Sequence, residues 1–471
     1  MFYRLFRALI RHSLWVFYRR IEIEGLEDVP TEGPLLLAAN HPNTMMDALL
    51  VAMSLDRQVG FVGKATLFKN PLVGAFFRYM GGIPIARKQD GPVEGGAAQN
   101  QNVLEACEIS VAAGNAILIF PEGISQEQPR LQPLKTGLAR IALGAERRNP
   151  GQVTVVPTAL VYDDHETFRS SARVRYLAPI QVAPFLALGK DDPDSFAPAR
   201  ALTAALDEAL KEEVVHVEDS QNDPLVAAID DLVGKDRTTR TQAGGRLAVT
   251  PIVAKAVNHF VEHEPERVAV VAGQLERYQA ALSAAGVDDD AVRKRARHSN
   301  ALRAIVFWLA SPIALWGVIN HFVLYQLPRI FLRLVRLDPL YNASAKLLIG
   351  LMGLVATYSV QGFLVYEALS RPLASQLEAL LPGSTPLGLT IVYLVTLPIC
   401  GMAALVWLEA WGSRRKRAAA AGAQRRLGAR LPELRTLRAD LFSSIDTALA
   451  DYLNTLSESS TEDAAPTVGG T

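Results

Sequence analysis

Cysteine is nearly absent from the 471-residue chain: Cys107 and Cys400 are the only two, and they fall in regions of different character. That excludes a disulfide framework and a cysteine metal centre, and leaves both as small apolar residues. An excess of either charge is missing too, with 48 Lys and Arg against 48 Asp and Glu. The chain therefore lacks the basic surplus of a dedicated nucleic-acid binder. It contains no G-x-S-x-G nucleophile motif, no internal repeat and no long disordered stretch. What it has in abundance is apolar residues, 49% of the total, with a mean hydropathy of +0.15. They cluster toward the C-terminus.

No Asp, Glu, Lys or Arg lies between Arg303 and Arg329, and two further uncharged runs cover residues 347–366 and 379–408. Each reaches the roughly 20 residues that a helix needs to cross a bilayer. Basic residues follow the first run (Arg329, Arg333, Arg336, Lys346) and the third (Arg414 to Arg417), whereas Arg371 is the only basic residue of the loop between the second and third. By the positive-inside rule the second and third runs form a hairpin with both ends in the cytoplasm. The first run holds Pro312, Asn320 and His321 and is read as a bent re-entrant or interfacial segment, with three full spans as the competing count. At the other end, residues 2–20 carry Arg4, Arg7, Arg11, Arg19 and Arg20 among large apolar side chains, with no acid. Residues 1–20 read as an amphipathic interfacial helix, or alternatively as one packed on the following domain. Arg7 and Arg11 interrupt the apolar region, so it is not a signal peptide.

From residue 21 to 185, the strand-like runs LLLAA (35–39), VGFV (59–62), AILIF (116–120) and VTVVPTALV (153–161) alternate with helix-like segments such as 98–113 and 134–148. This alternation predicts an α/β domain, a mixed sheet covered by helices. A helical linker region follows over 186–300, then a membrane domain with two or three hydrophobic segments over 301–412, a basic helical segment over 413–455 and a disordered tail over 456–471.

Two constellations follow strands directly. Asn40-His41-Pro42-Asn43-Thr44-Met45-Met46-Asp47 comes after LLLAA and pairs a base suited to neutral pH with a carboxylate able to orient it. Phe120-Pro121-Glu122-Gly123 ends another strand, and ligands of α/β sheets bind at such C-terminal edges. Between them lie Lys64 and Arg87, cations suited to a phosphate. The string His259-Phe260-Val261-Glu262-His263 has the H-x-x-E-H spacing of some zinc peptidases but no third ligand, and no metal site is expected.

In this order the blocks resemble the glycerolipid acyltransferase family, over residues 21–180. His41 and Asp47 correspond to its catalytic His and Asp, Gly82-Ile83-Pro84-Ile85-Ala86-Arg87 to its second block, Phe120-Pro121-Glu122-Gly123 to its third and Val156-Pro157 to its fourth. Five residues separate His41 from Asp47 where the family commonly has four, and Ile124-Ser125 stands where Thr-Arg-Ser is common. The segment Pro133-Leu134-Lys135-Thr136-Gly137-Leu138-Ala139 looks more like the glycerol-3-phosphate and dihydroxyacetone-phosphate acyltransferase branch.

The resemblance implies attack of an alcohol on an acyl thioester, with His41 as general base and Asp47 as its orienting partner. Arg87, with Lys64 or Lys135 in reserve, would bind the acceptor phosphate, and Glu122 and Gly123 would position the glycerol hydroxyls or backbone. No cofactor is implied beyond the donor thioester, acyl-CoA or acyl carrier protein. The leading expectation is a membrane-bound glycerol 3-phosphate O-acyltransferase of phospholipid synthesis, its catalytic domain on the cytoplasmic side. The alternatives are acylation of 1-acylglycerol 3-phosphate to phosphatidic acid, acylation of another hydroxylated lipid, and a catalytically silent membrane scaffold.

Overall fold

The computed structural model describes residues 2–85, 96–126, 130–189, 195–234, 246–293, 301–371, 376 and 384–462. The chain divides into two compact units, one of Met1–Asn258 with Leu337–Ser344 and the other of His259–Arg336 with Ala345–Thr471.

The first unit is built on an eight-stranded sheet of β1 (Arg20–Glu24), β2 (Leu35–Ala39), β3 (Val59–Lys64), β4 (Gly82–Ile85), β5 (Ala116–Ile119), β6 (Thr154–Tyr162), β7 (Ser171–Tyr176) and β8 (Ile180–Gln181). Their order is β1-β7-β6-β2-β5-β3-β4, with β8 also beside β6. Pairings are parallel except those of β6 with β7 and with β8. Central position explains the unbroken apolar runs. Every residue of β2 and of β6 is buried, as a strand covered on both faces requires. The short, alternating strands β1 (RIEIE) and β7 (SARVRY) escape a reading based on such runs.

Helices α1 (Phe2–Phe17), α2 (Thr44–Ser54), α3 (Pro71–Tyr79), α4 (Gly96–Ala112) and α5 (Gly137–Arg148) accompany the strands. Because side chains alternate along a strand, Leu36, Ala38, Ile117 and Val155 share one face, and there they form a core with Val103, Cys107 and Val111 of α4 and Leu138, Ile141 and Ala142 of α5. The opposite face meets α2, to which Tyr162 of β6 and Tyr176 of β7 both donate hydrogen bonds. Burial pushes the Cys107 thiol up to about 12.

Two boundaries differ from the sequence reading. The helix Ala197–Lys211, inside the stretch read as a linker, contributes Ala199, Leu202 and Leu206 to the same core. Its apolar stripe recurs at helical spacing and is matched by the sheet, so it is part of the first unit's packing. The helix Arg430–Glu462 continues past residue 455, where a disordered tail was expected, and residues 463–471 lie outside the described residues. As for α1, one side buries Ile10, Leu14 and Phe17, while Leu5 and Trp15 stay 69% and 63% exposed. It packs on the unit and keeps an apolar outer face.

The second unit is helical. The first uncharged run breaks into the helices Ala301–Leu309 and Ser311–Leu334, the second opening with Pro312 in its first turn, where a proline needs no hydrogen-bonded N–H. Two helical stretches, Pro339–Ser370 and Pro386–Leu427, are long and apolar enough to cross a membrane. Large apolar side chains such as Phe322, Val355, Phe363 and Val395 face outward, a surface suited to lipid. Polar contacts tie the helices together: the Tyr393 hydroxyl donates to Asn320 Oδ1 at 2.6 Å, and His321 Nε2 lies 2.8 Å from the Tyr358 hydroxyl.

Truncating a core element of the sheet costs stability, and truncating a linker does not. Leu202→Ala is therefore expected to cost about 2–5 kcal/mol, read as a lowered denaturation midpoint of the detergent-solubilised protein. An unchanged midpoint would place the helix Ala197–Lys211 outside the core.

Candidate active site

The parallel strands β2 and β5 are neighbours, with Ala38 opposite Ile119. Three residues beyond these partners stand His41 and Glu122, so equal offsets bring the two blocks level at the C-terminal edge of the sheet. Asn40 ends β2 by substituting its side chain for a ladder pair: Nδ2 donates to the Leu160 carbonyl at 3.0 Å, and Oδ1 accepts from the Leu160 N–H at 2.7 Å. That double bond fixes where the chain leaves the sheet, and hence where His41 starts.

His41 and Asp47 come together despite the five-residue spacing. His41 Nδ1 lies 2.9 Å from Asp47 Oδ2, with 12% and none of the two side chains exposed. The imidazole lies flat on the Phe120 ring, centroids 3.8 Å apart and planes within 11°. A carboxylate only accepts, so Nδ1 carries the proton and neutral His41 keeps a lone pair on Nε2. Asp47 has two more donors: the Asn43 N–H reaches Oδ2 at 2.7 Å and the Tyr162 hydroxyl reaches Oδ1 at 2.5 Å. Burial first, and then the Asp47 charge, push the Tyr162 phenol well above its ordinary value, so Tyr162 stays a donor at physiological pH. Sequence reasoning missed it, although a Tyr at the last position of a buried strand is a signal, because a buried hydroxyl needs a partner.

Glu122 is 6% exposed. Its Oε1 accepts the His41 N–H at 2.8 Å and its Oε2 the Gln132 N–H at 3.0 Å. Burial raises its pKa, and the two N–H bonds oppose that rise. A glutamine could not replace it silently, since its NH₂ would face one of two N–H donors. Each carboxylate oxygen thus serves the protein's own backbone, tying the His41 block to the turn after β5.

Ser125 also serves the loop geometry. Its hydroxyl donates to the His41 carbonyl at 2.8 Å and accepts the Thr44 N–H at 3.1 Å. Gly123 has φ +74, and a Cβ there would stand 2.5 Å from Lys135 Nζ. The amine of Lys135 therefore lies against the Gly123 backbone. Lys64 closes β3, and its register partner is Ile85, which closes β4; Arg87 follows two residues later, outside the described residues. In the second unit, His259 and His263 stack 4.5 Å apart, and His263 Nδ1 lies 2.9 Å from the His259 carbonyl. Among the described residues no group of three or more His, Cys, Asp or Glu is placed to hold a metal ion.

This arrangement, an imidazole held by a buried carboxylate at a sheet edge, suits the removal of a proton from a hydroxyl group. Residues 4–161, about a third of the chain, match the family model described as Acyltransferase. The chain is 29% identical over 131 residues to a chloroplastic 1-acyl-sn-glycerol-3-phosphate acyltransferase of Brassica napus, covering 28% of this chain and 35% of the relative. It is 23% identical over 276 residues to glycerol-3-phosphate O-acyltransferase 1 of Saccharomyces cerevisiae, covering 41% and 36%. Over 65 residues it is 48% identical to glycerol-3-phosphate O-acyltransferase 2 of the same yeast, covering 14% and 9%. The chain thus spans about a third of the length of the first two.

The bonds to Asp47 and Glu122 make two expectations. Tyr162→Phe leaves Asp47 Oδ1 buried without its donor and costs about 1–3 kcal/mol, a drop in thermal midpoint that an idle hydroxyl would not produce. Glu122→Gln sets an NH₂ against a backbone N–H and is expected to cost a similar amount, whereas a Glu122 that touches substrate alone would leave the midpoint unmoved.

Proposed function

We propose that the chain is a membrane-bound O-acyltransferase that moves a fatty acyl group from acyl-CoA or acyl carrier protein to the hydroxyl of glycerol 3-phosphate. The observation that carries this reading is the 2.9 Å contact of His41 Nδ1 with Asp47, buried and stacked on Phe120, which leaves Nε2 as the free base. The acceptor's O–H proton passes to Nε2 as its oxygen bonds to the thioester carbonyl carbon. The resulting oxyanion collapses, the C–S bond breaks, and the leaving thiolate takes the proton back from the imidazolium. Asp47 stabilises that transient cation and holds the tautomer throughout. No acyl-enzyme forms.

Arg87 and Lys64, the latter closing β3 beside Ile85, are assigned to the acceptor phosphate on the family resemblance. Lys135, against the Gly123 backbone, stands in reserve. Glu122 and Gly123 act chiefly on the acceptor's position through the backbone that carries His41. The helices Pro339–Ser370 and Pro386–Leu427 anchor the enzyme in a membrane, and the basic residues flanking the runs support a cytoplasmic side for the catalytic unit. Acylation of 1-acylglycerol 3-phosphate is the second reading, favoured by the match to the Brassica napus relative. The 48% local identity to a yeast glycerol-3-phosphate acyltransferase supports the first.

Membranes containing wild type or His41→Ala are assayed with labelled acyl-CoA and acyl carrier protein, offering each acceptor in parallel. Turnover of glycerol 3-phosphate is expected, with a loss in the variant of at least about a hundredfold at unchanged thermal midpoint. Turnover of the lysolipid alone would move the enzyme one step along phospholipid synthesis. A His41→Ala protein as active as wild type would sink the base assignment.

A further inference from the structure

The segment Leu337–Ser344 belongs to the first compact unit although the residues on both sides of it belong to the second. It contains a short helical turn, Pro339–Tyr341, whose start is capped by the Asp338 carboxylate on the Leu340 N–H, and it leads directly into the helix Asn342–Ser370. Its contacts fall on the loop that bears the His–Asp pair. The Thr44 hydroxyl donates to the Leu340 carbonyl at 3.3 Å and lies 3.1 Å from the Ser344 hydroxyl. A carbonyl only accepts, so Thr44 gives its proton to Leu340 and Ser344 donates to Thr44. Asn342 Nδ2 donates to Glu166 Oε2 at 2.9 Å, a second tie to the same unit. Ala343 and Ser344 are 1% and 6% exposed.

Thr44 is an unusual residue to find at this point. Its φ is +45, in the left-handed region, which a β-branched residue enters only at a cost. It lies inside the five-residue stretch that is one longer than the family's common spacing, and it opens the helix that carries Asp47. Its left-handed turn lies between His41 and Asp47, whose side chains stand 2.9 Å apart. Such a conformation persists only where its surroundings over-determine it. Here Ser125 holds the Thr44 N–H, and the segment 337–344 holds its hydroxyl.

We propose that Leu337–Ser344 is a positioning strut for the His41–Asp47 pair: the foot of the first candidate membrane span, acting through Ser344, Leu340 and Thr44, fixes the strained turn that sets the catalytic spacing. The proposal rests on the acyltransferase reading only where turnover is its readout. It gives the chain's C-terminal half a share in catalysis that the family match over residues 4–161 does not contain.

The test exploits the difference between losing the strut and losing the need for it. Thr44→Ala removes the hydroxyl and keeps the Cβ that makes a positive φ costly, while Thr44→Gly removes both. With full-length protein in membranes, Thr44→Ala is expected to lower kcat about ten- to a hundredfold with KM within about twofold, and Thr44→Gly to recover most of it. Ser344→Ala is expected to lower kcat in the wild-type background and to do nothing further in Thr44→Gly. Deuterium uptake by peptides covering residues 40–50 should rise in Thr44→Ala and not in Thr44→Gly. A glycine variant no better than the alanine one, an equal effect of Ser344→Ala in both backgrounds, or a loss confined to KM overturns the proposal. Should wild type turn over neither acceptor, the acyltransferase reading fails, and the order of deuterium uptake decides on the strut by itself.

Discussion

A carboxylate with no exposed surface is the constraint around which the catalytic unit is arranged. Removing a charge from water is tolerable only if hydrogen bonds replace the lost hydration, and Asp47 receives them from His41, from the Asn43 backbone and from Tyr162. These donors come from the β2–α2 loop and from the end of β6, so the strand order that places β6 beside β2 is also what solvates the charge. Chemistry and folding therefore draw on the same contacts. The carboxylate that contacts His41 also pins a loop, a helix start and a central strand to one another.

Around it lies a second shell of ties that serve geometry. Asn40 replaces a ladder bond, Glu122 clamps two backbone N–H groups, and Ser125 bridges the His41 carbonyl to the Thr44 amide. None of these bonds needs a substrate to form, so the loop that carries His41 is held in place before any ligand arrives. Phe120 adds a flat wall that restricts rotation of the imidazole.

Much of this was legible in the residues, and what was not has identifiable reasons. Buried central strands announce themselves as apolar runs, so β2, β3, β5 and β6 were readable; β1 and β7 alternate polar and apolar residues at one margin of the sheet and were not. His41, Asp47 and Glu122 stood out because each follows a strand at the edge where ligands bind. Tyr162 did not, because its role depends on β6 lying next to β2, a pairing of residues far apart in the chain. The same holds for Thr44 and Ser344, which meet across the interval of 300 positions. The five-residue spacing does not keep His41 and Asp47 apart, and the stretch between them contains one left-handed residue, Thr44.

The helix Pro386–Leu427 has 42 residues, and at 1.5 Å per residue it measures about 63 Å. The hydrocarbon of a bilayer is only about 30 Å thick. Lying wholly within it would demand a tilt of about 60°, beyond the usual range of up to about 40°. Read as a span, the helix must leave the lipid near its midpoint, and the half bearing Arg414 to Arg417 then lies beyond the hydrocarbon, with Ala420, Ala423 and Leu427 buried on it. That half is one continuous rod of backbone with the span, packed through Leu427 against Val292 and Leu434, so any tilt of the span in the bilayer is passed on to the helices gathered at its end.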